Sequence, residues 1–453
     1  MKKIRSETIL DYLPLFKLVY KTASLTHGNH IYFDKGRNEF VPTTKRGKGV
    51  TGLRRIVLWM VTLWLTLQTC RLLDVTRSKG FLSSIPSILM SVGFIGSFFL
   101  AVMGYRHARN IANLLNTLIR YQKYLDAGET AREEVVAKDK KYLAGNGKQN
   151  GNKAITNGKP LSFIKRARYE LSQMKKDIGQ GDMTRLVLIL ANQAQTGLPL
   201  LTGLLLTVAP CVLELFVRST LQDCPQNPQG IFPQGSAYLG MLAVAGDTFV
   251  YAFTFGQGPA VIGVVFFSAA ACLRDHLKRI IIPADPTLSK ISSSAAILPQ
   301  KSAIHASMRR YRELQLITQM YNNTNATAII PIIFFTMIFL GTMSIFVCVA
   351  LHSVLSTAVL LMTAMIAFDC AILAQIFMYQ AAGDVNHVAH AVTSNWQSNP
   401  VVQRDKLLVR MMRSLNVIRL KIGSSGNYLE RMTPLIITQI TMEQATSLIL
   451  MKG

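Results

Sequence analysis

The chain has 453 residues, half of them hydrophobic, and a positive mean hydropathy, which excludes a pair of ordinary soluble domains. Lys and Arg number 49 against 24 Asp and Glu, a formal net charge of +25. In a soluble chain that excess would point to nucleic acid, but here it lies between apolar runs and no recognition module accompanies it, so a nucleic-acid partner is excluded.

Seven apolar runs are long enough to cross a bilayer, which takes about 20 residues for roughly 30 Å of hydrocarbon. They cover residues 56–73, 81–105, 196–216, 237–273, 327–351, 354–382 and 428–451. The fourth is too long for one perpendicular crossing and is expected to tilt strongly or to continue as a helix into the cytosol. Of the 49 basic residues, 44 fall on alternate intervening segments and 5 on the others. The positive-inside rule therefore places the N-terminus in the cytosol and the C-terminus outside. That is the reverse of a G-protein-coupled receptor, so no G protein is expected as a partner. The basic loops instead hold orientation and touch anionic lipid. The predicted fold class is all-α, a seven-transmembrane helical bundle.

In chain order, residues 1–55 form a cytosolic arm that is too charged for a cleaved signal peptide. Within it, Ile9, Leu10, Leu13, Leu15, Phe16, Leu18 and Val19 make an amphipathic patch, expected to dock on the protein rather than on lipid. Residues 56–105 hold spans one and two. The cytosolic loop 106–185 has helical flanks at 110–127 and 162–178 around a Gly-, Asn- and Lys-rich insert, 144–160, expected to be disordered. Spans three and four occupy 186–273, separated by an irregular outer loop with Pro225, Pro228, Pro233, Gly230 and Gly235. Residues 274–326 form a cytosolic loop with a helix near 304–320. Spans five and six occupy 327–382, a cytosolic loop 383–427, and the last span 428–453. The sequons at Asn322 and Asn325 fall on the cytosolic side, where they go unused. Of the six cysteines (Cys70, Cys211, Cys224, Cys272, Cys348 and Cys370) only Cys224 lies clearly outside, so no disulfide framework is legible, nor any zinc spacing.

The last span differs from the rest. It carries Thr438, Gln439, Thr441, Glu443, Gln444, Thr446 and Ser447, and Gln439, Glu443, Ser447 and Met451 recur every four residues as one slightly inclined helical stripe. A carboxylate near the bilayer centre costs about 3 kcal/mol, so the stripe faces protein or water. One such residue would indicate a buried contact between helices; seven in one span favour a water-filled path. Glu214, Asp247 and Asp369 are the other intramembrane charges, each expected to be a satisfied structural group ahead of a ligand or ion contact. Gly240, Gly246, Gly256, Gly258 and Gly263 in span four point to close helix packing. His387 and His390 have the spacing of helical metal ligands, but a lone HxxH is weak, and no metal or cofactor is expected. The absence of HExxH, GxSxG and P-loop patterns speaks against an enzyme.

Beyond these patterns, the C-terminal third resembles a known family. Span six ends Phe377-Met378-Tyr379-Gln380-Ala381-Ala382-Gly383, followed by a helical loop with Val388, Ala391, Ser394 and Trp396. Next come residues 407–414 (Leu-Leu-Val-Arg-Met-Met-Arg-Ser), then Ile422-Gly423 and the final span. This order resembles the insect odorant and gustatory receptor superfamily over about residues 350–452. Upstream, the resemblance rests on span number, orientation and loop lengths, with Asp247 as a further hint. It implies a plasma-membrane, tetrameric, ligand-gated cation channel with a central pore from the last helix of each subunit and an intersubunit anchor from the cytosolic extensions. It also implies a small organic odorant or tastant as ligand, taken in the outer half of the bundle, and assembly as a homotetramer or as a heteromer with a co-receptor. Carried over residue by residue, the pore stretch falls on 443–451, and with the stripe gives Gln439, Glu443, Ser447, Leu450 and Met451 as pore-lining residues. This chain has Glu443-Gln444 where the family commonly has a Thr-Tyr pair, Ser447 at a usually apolar gate level and Leu450 where Gln is common. Met451 is the expected constriction. The Glu430-Arg431 entry to the last span reads slightly more gustatory than odorant. The rival reading is a secondary transporter with Glu214, Asp247, Asp369 and Glu443 as coupling carboxylates, against which stands the lack of an internal repeat.

Overall fold

A computed structural model describes residues 9–23, 30–34, 36–43, 48–79, 81–143, 237–280, 294–353, 357–368, 379–424 and 426–452. The expected third span, with Cys211 and Glu214, lies outside the described residues, as does Cys224 of the outer loop. So do the insert 144–160, the flank 162–178, the Pro-rich outer loop, Asp369 and Cys370.

The described part is helical apart from two short hairpins. Helix α1 (Ile9–Ala23) leads to a hairpin of β1 (Ile31–Asp34) and β2 (Glu39–Pro42), then α2 (Lys48–Lys79), α3 (Phe81–Arg106) and α4 (Ala108–Leu143). After residue 236 come α5 (Ala237–Ala260), a π-helical segment (Val261–Ser268) and α6 (Ala269–Ile280). Then follow α7 (Ser294–Asn325), α8 (Ile329–Ala350), α9 (Thr357–Phe368), α10 (Gln380–Ser398), α11 (Pro400–Arg404) and α12 (Lys406–Ser414). The chain ends with β3 (Lys421–Ile422), β4 (Asn427–Tyr428) and α13 (Thr433–Lys452). Among the described residues, three helical stretches are long and apolar enough to cross a membrane: Arg55–Asp74, Ser87–Arg106 and Ile329–Ala350.

The over-long fourth run is continuous from α5 through the π segment to α6, so it continues as a helix beyond any single crossing. The π turn shifts the hydrogen-bond register. Ser268 Oγ reaches back five residues to the Gly263 carbonyl at 2.6 Å, and Tyr321 donates its hydroxyl to the Phe266 carbonyl at 3.3 Å. Glycines in α5 act as expected for close packing. A methyl group on Gly258 would lie 3.1 Å from Ser97 Oγ on α3, and one on Gly246 would lie 2.5 Å from the Trp64 ring on α2.

Beyond the apolar helices, α4, α6, α7, α10, α11 and α12 share one core. α10 packs against α6, and its Ala381, Ala382, Val385, Ala389 and Val392 are small or narrow side chains buried in the core the two helices share. Trp396 is buried edge-on against Tyr311, ring centroids 5.2 Å apart. The Tyr311 hydroxyl donates to the Asn416 carbonyl at 3.2 Å and accepts from Ile418 N at 3.1 Å, tying the segment after α12 to α7. Burial raises the Tyr311 phenol to about 12, so it stays a donor at neutral pH. Asn399 caps α11 through Val401 N, and Asp405 caps α12 through Leu407 N at 2.8 Å while pairing with Lys301 at 2.5 Å. The helix expected near 304–320 is longer, running to Asn325, and only residues 326–328 separate it from α8.

The N-terminal arm folds back onto this core. Phe16, Val19 and Tyr20 of α1 are buried, so its apolar face docks on protein, against α4 and α5. The hairpin beside it was not expected from the sequence. Its turn has Asn38 in the left-handed region (φ 52°), a conformation Asn tolerates better than most residues. Asn116 on α4 completes β2: its side-chain oxygen accepts from Phe40 N and its amide donates to Phe40 O, both at 2.8 Å.

Candidate functional site

Helix α13 is 20 residues long, about 30 Å at 1.5 Å per residue, which matches the hydrocarbon thickness of a bilayer. The turn before it is closed from both sides. Glu430 N donates to Thr433 Oγ1 at 2.8 Å, and Thr433 N donates to the Glu430 carbonyl at 3.0 Å. Pro434 then occupies the first turn, where its missing N–H has no helical partner to lose. Several hydroxyls in the helix fold back onto backbone carbonyls four residues earlier: Thr438 to Pro434, Thr441 to Ile437 and Ser447 to Glu443, at 2.8–2.9 Å. Such bonds satisfy the hydroxyl proton in an apolar setting while leaving the oxygen able to accept.

One narrow face of α13 is buried. Thr433, Ile437, Thr441 and Ala445 recur every four residues and pack on the protein, with Ile449 half-buried beyond them. Much of this face meets α8, where Thr342 Oγ1 donates to the Thr441 carbonyl at 3.5 Å. The rest of the circumference is exposed. Gln439, Glu443, Ser447, Leu450 and Met451 all lie on it, the last two 74% and 75% exposed. Gln439 donates its side-chain amide to Glu443 Oε1 at 2.7 Å, so two members of the stripe are physically joined. No cation pairs with Glu443 among the described residues. The arrangement presents a carboxylate, an amide and a hydroxyl on a face that the described residues leave uncovered.

Asp247 is placed differently. It is 1% exposed on α5, and its Oδ1 accepts from Trp64 Nε1 at 2.8 Å and from Gln68 Nε2 at 3.4 Å, both on α2. It is a satisfied structural group, and Gly246 beside it gives the Trp64 ring its room. His387 and His390 are both exposed on α10. No cluster of three or more metal-type side chains occurs among the described residues.

The sequons have a structural reason to stay unmodified. Asn322 donates its amide to the Arg419 carbonyl at 3.0 Å, and its oxygen accepts from Lys421 N at 2.9 Å. Asn325 is fully buried. Neither side chain is presented to solvent as an acceptor for a glycan.

A further junction had no sequence signal beyond a glycine in a helix. Gly383 of α10 is buried against the peptide linking Glu430 and Arg431. A methyl group at Gly383 would lie 2.5 Å from the Glu430 carbonyl carbon and 2.7 Å from Arg431 N. Asp384 pairs with Arg431 across the same contact at 3.8 Å. Four residues before Gly383, Tyr379 is fully buried against Phe334 of α8 and Phe266 of the π segment, at 4.5 and 6.1 Å between ring centroids.

No family model matches the chain, and no curated protein matches it in sequence. Solved structures do match it. One is the insect olfactory receptor OR5 from Machilis hrabei in complex with eugenol, with a TM-score of 0.53 and 13% identity over 97% of this chain and 100% of that one. Another is a second structure of the insect olfactory receptor OR5 from Machilis hrabei, with a TM-score of 0.54 and 13% identity over 97% of this chain and 99% of that one. Together with the apolar helices, this similarity supports a membrane location. The chain has the fold of an insect olfactory receptor.

Proposed function

We propose that the chain is one subunit of a chemosensory, ligand-gated, non-selective cation channel, with α13 lining the ion path. The observation that carries this is the uncovered face of α13. Lipid contact would leave the Glu443 carboxylate at a cost of about 3 kcal/mol, whereas copies gathered around an axis turn the same face toward water. Four copies would make a ring of Glu443 carboxylates that favours cations. Ser447 and Met451, further along the stripe, form the neck.

The full-length similarity to an olfactory receptor bound to eugenol supports a small organic ligand and an oligomeric channel. The charge pattern supports a cytosolic N-terminus, an outside C-terminus and seven spans in the divisions given above. The cytosolic extensions would join subunits, as a homotetramer or with a co-receptor, in the plasma membrane. The ligand shifts the balance by binding the open arrangement more tightly.

The test is whole-cell recording from cells expressing the chain alone, and then with a co-receptor, across odorants and tastants beginning with eugenol. The channel reading predicts an evoked current that reverses near 0 mV in mixed cation solutions and resolves into unitary steps. Saturable flux without unitary events would favour a secondary transporter. The pairing of Asp247 with Trp64 and Gln68 removes one carboxylate from that alternative's set of coupling groups.

A further inference from the structure

From the contact between α10 and the entry to α13, we infer that Gly383, with the Asp384–Arg431 pair, couples the helix bundle to the pore helix and sets its closed–open balance. The inference rests on the channel reading above and adds its point of control.

Three observations converge. First, α10 touches the entry of α13 with backbone against backbone, because Gly383 has no side chain to hold the Glu430–Arg431 peptide away. A contact of this kind transmits displacement with little slack, since no rotamer lies between the two elements. Second, the contacted peptide is the closed turn itself. The reciprocal bonds between Glu430 and Thr433 make residues 430–433 one rigid unit with the first turn of α13, so moving the peptide moves the helix. Third, the same face of α10 reaches the bundle one turn earlier. Tyr379 and Gly383 are four residues apart, and Tyr379 is wedged between Phe334 on α8 and Phe266 in the π segment. A π segment is a place where a helix's hydrogen-bond register shifts, and such segments are frequent at functional sites. A rearrangement of spans four and five is therefore passed through Tyr379 to Gly383 and on to α13. The Asp384–Arg431 pair sits at the rim, with Arg431 60% and Asp384 24% exposed, and holds the two elements in lateral register.

These are positioning residues: none of them lies on the Gln439–Glu443–Ser447 stripe. Their substitution should change how often the pore opens and leave what passes through it unchanged. The experiment is single-channel recording of the purified full-length protein in planar bilayers, without ligand and with eugenol as the added probe. It compares the wild type, Gly383→Ala, Asp384→Arg, Arg431→Asp and the paired Asp384→Arg/Arg431→Asp. The expected result is an open probability, spontaneous or evoked, altered by about threefold or more in Gly383→Ala and in each single charge reversal. Unitary conductance and cation permeability ratios stay at wild-type values, and the paired reversal returns open probability toward wild type. The charge variants keep the test standing if Gly383→Ala does not assemble. Wild-type open probability in the single charge reversals, or altered conductance together with altered opening, would overturn the coupling and leave the channel reading intact. A wild type silent with and without eugenol and the wider ligand panel would remove the channel reading and the coupling with it.

Discussion

At the scale of single residues, Glu443 carries the charge argument. It is the one acidic group on the uncovered face of α13, held by Gln439 at 2.7 Å. Glu443→Gln keeps the shape and removes the charge, so in a four-fold ring it should lower calcium permeability relative to sodium on the order of tenfold. Reversal potentials in calcium-only and sodium-only solutions measure this, and unchanged values would mean that Glu443 does not face the ion path. Asn322 gives a separate residue-scale outcome. Because its amide bridges Arg419 and Lys421 and Asn325 is buried, the chain expressed in insect cells should show no mobility shift at these positions on glycosidase treatment. A shift abolished by Asn322→Gln would contradict both this packing and the cytosolic placement of the loop.

At the scale of elements, two contacts lend themselves to measurement. Trp64 of α2 lies over Gly246 of α5, so Gly246→Ala should destabilise the helix pair by about 1–3 kcal/mol through overpacking. The loss is read as a lower melting temperature in detergent, and an unchanged value would contradict the contact. The second contact joins α4 and α6. His276 is buried edge-on against Tyr121 at 5.1 Å, and among the described residues neither ring nitrogen has a hydrogen-bond partner. Burial, helped by Arg279, lowers its pKa to about 3. The unfolded chain binds this proton near pH 6.5 and the folded one does not, so stability falls as pH drops from about 6.5 toward 3. His276→Phe should flatten the dependence of melting temperature on pH between 7 and 5.

The same scale shows what was legible in the sequence. The helices at 48–79, 81–106 and 329–350 were read from their apolar runs, because a bilayer demands a long unbroken segment and leaves few alternatives. The docked arm was legible from the spacing of Phe16 and Val19. The hairpin at 31–42 was not: its strands are four residues each, and their pairing is completed by Asn116, 76 positions away from Phe40. The partners of Asp247 lie on a helix about 180 residues earlier, a distance no local pattern spans. Gly383 read as an ordinary helical glycine, because a close approach of two backbones leaves no side chain to mark the second partner.

For the whole molecule, 44 of the 49 basic residues fall on alternate segments between the seven apolar runs, which predicts the orientation. A tag at the N-terminus should stain only after permeabilisation, and one at the C-terminus on intact cells; a cytosolic C-terminus would contradict the seven-span arrangement. The fold shared with an olfactory receptor over nearly the whole chain, at 13% identity, fits a case where membrane packing constrains helix positions more than side-chain identities.

The central claim is that the uncovered face of α13 lines an ion path, and thiol modification of that face during conduction tests it most directly. Glu443→Cys and Ser447→Cys are introduced in a background with two cysteines replaced by Ser: Cys70, a free cysteine exposed among the described residues, and Cys224, expected in the outer loop. A positively charged thiosulfonate is then applied from outside while the channel is active. The account predicts progressive loss of cation current at both positions, faster when the channel is open, and no change in the Cys70→Ser/Cys224→Ser background. Labelling of both cysteines with current unaltered would contradict it.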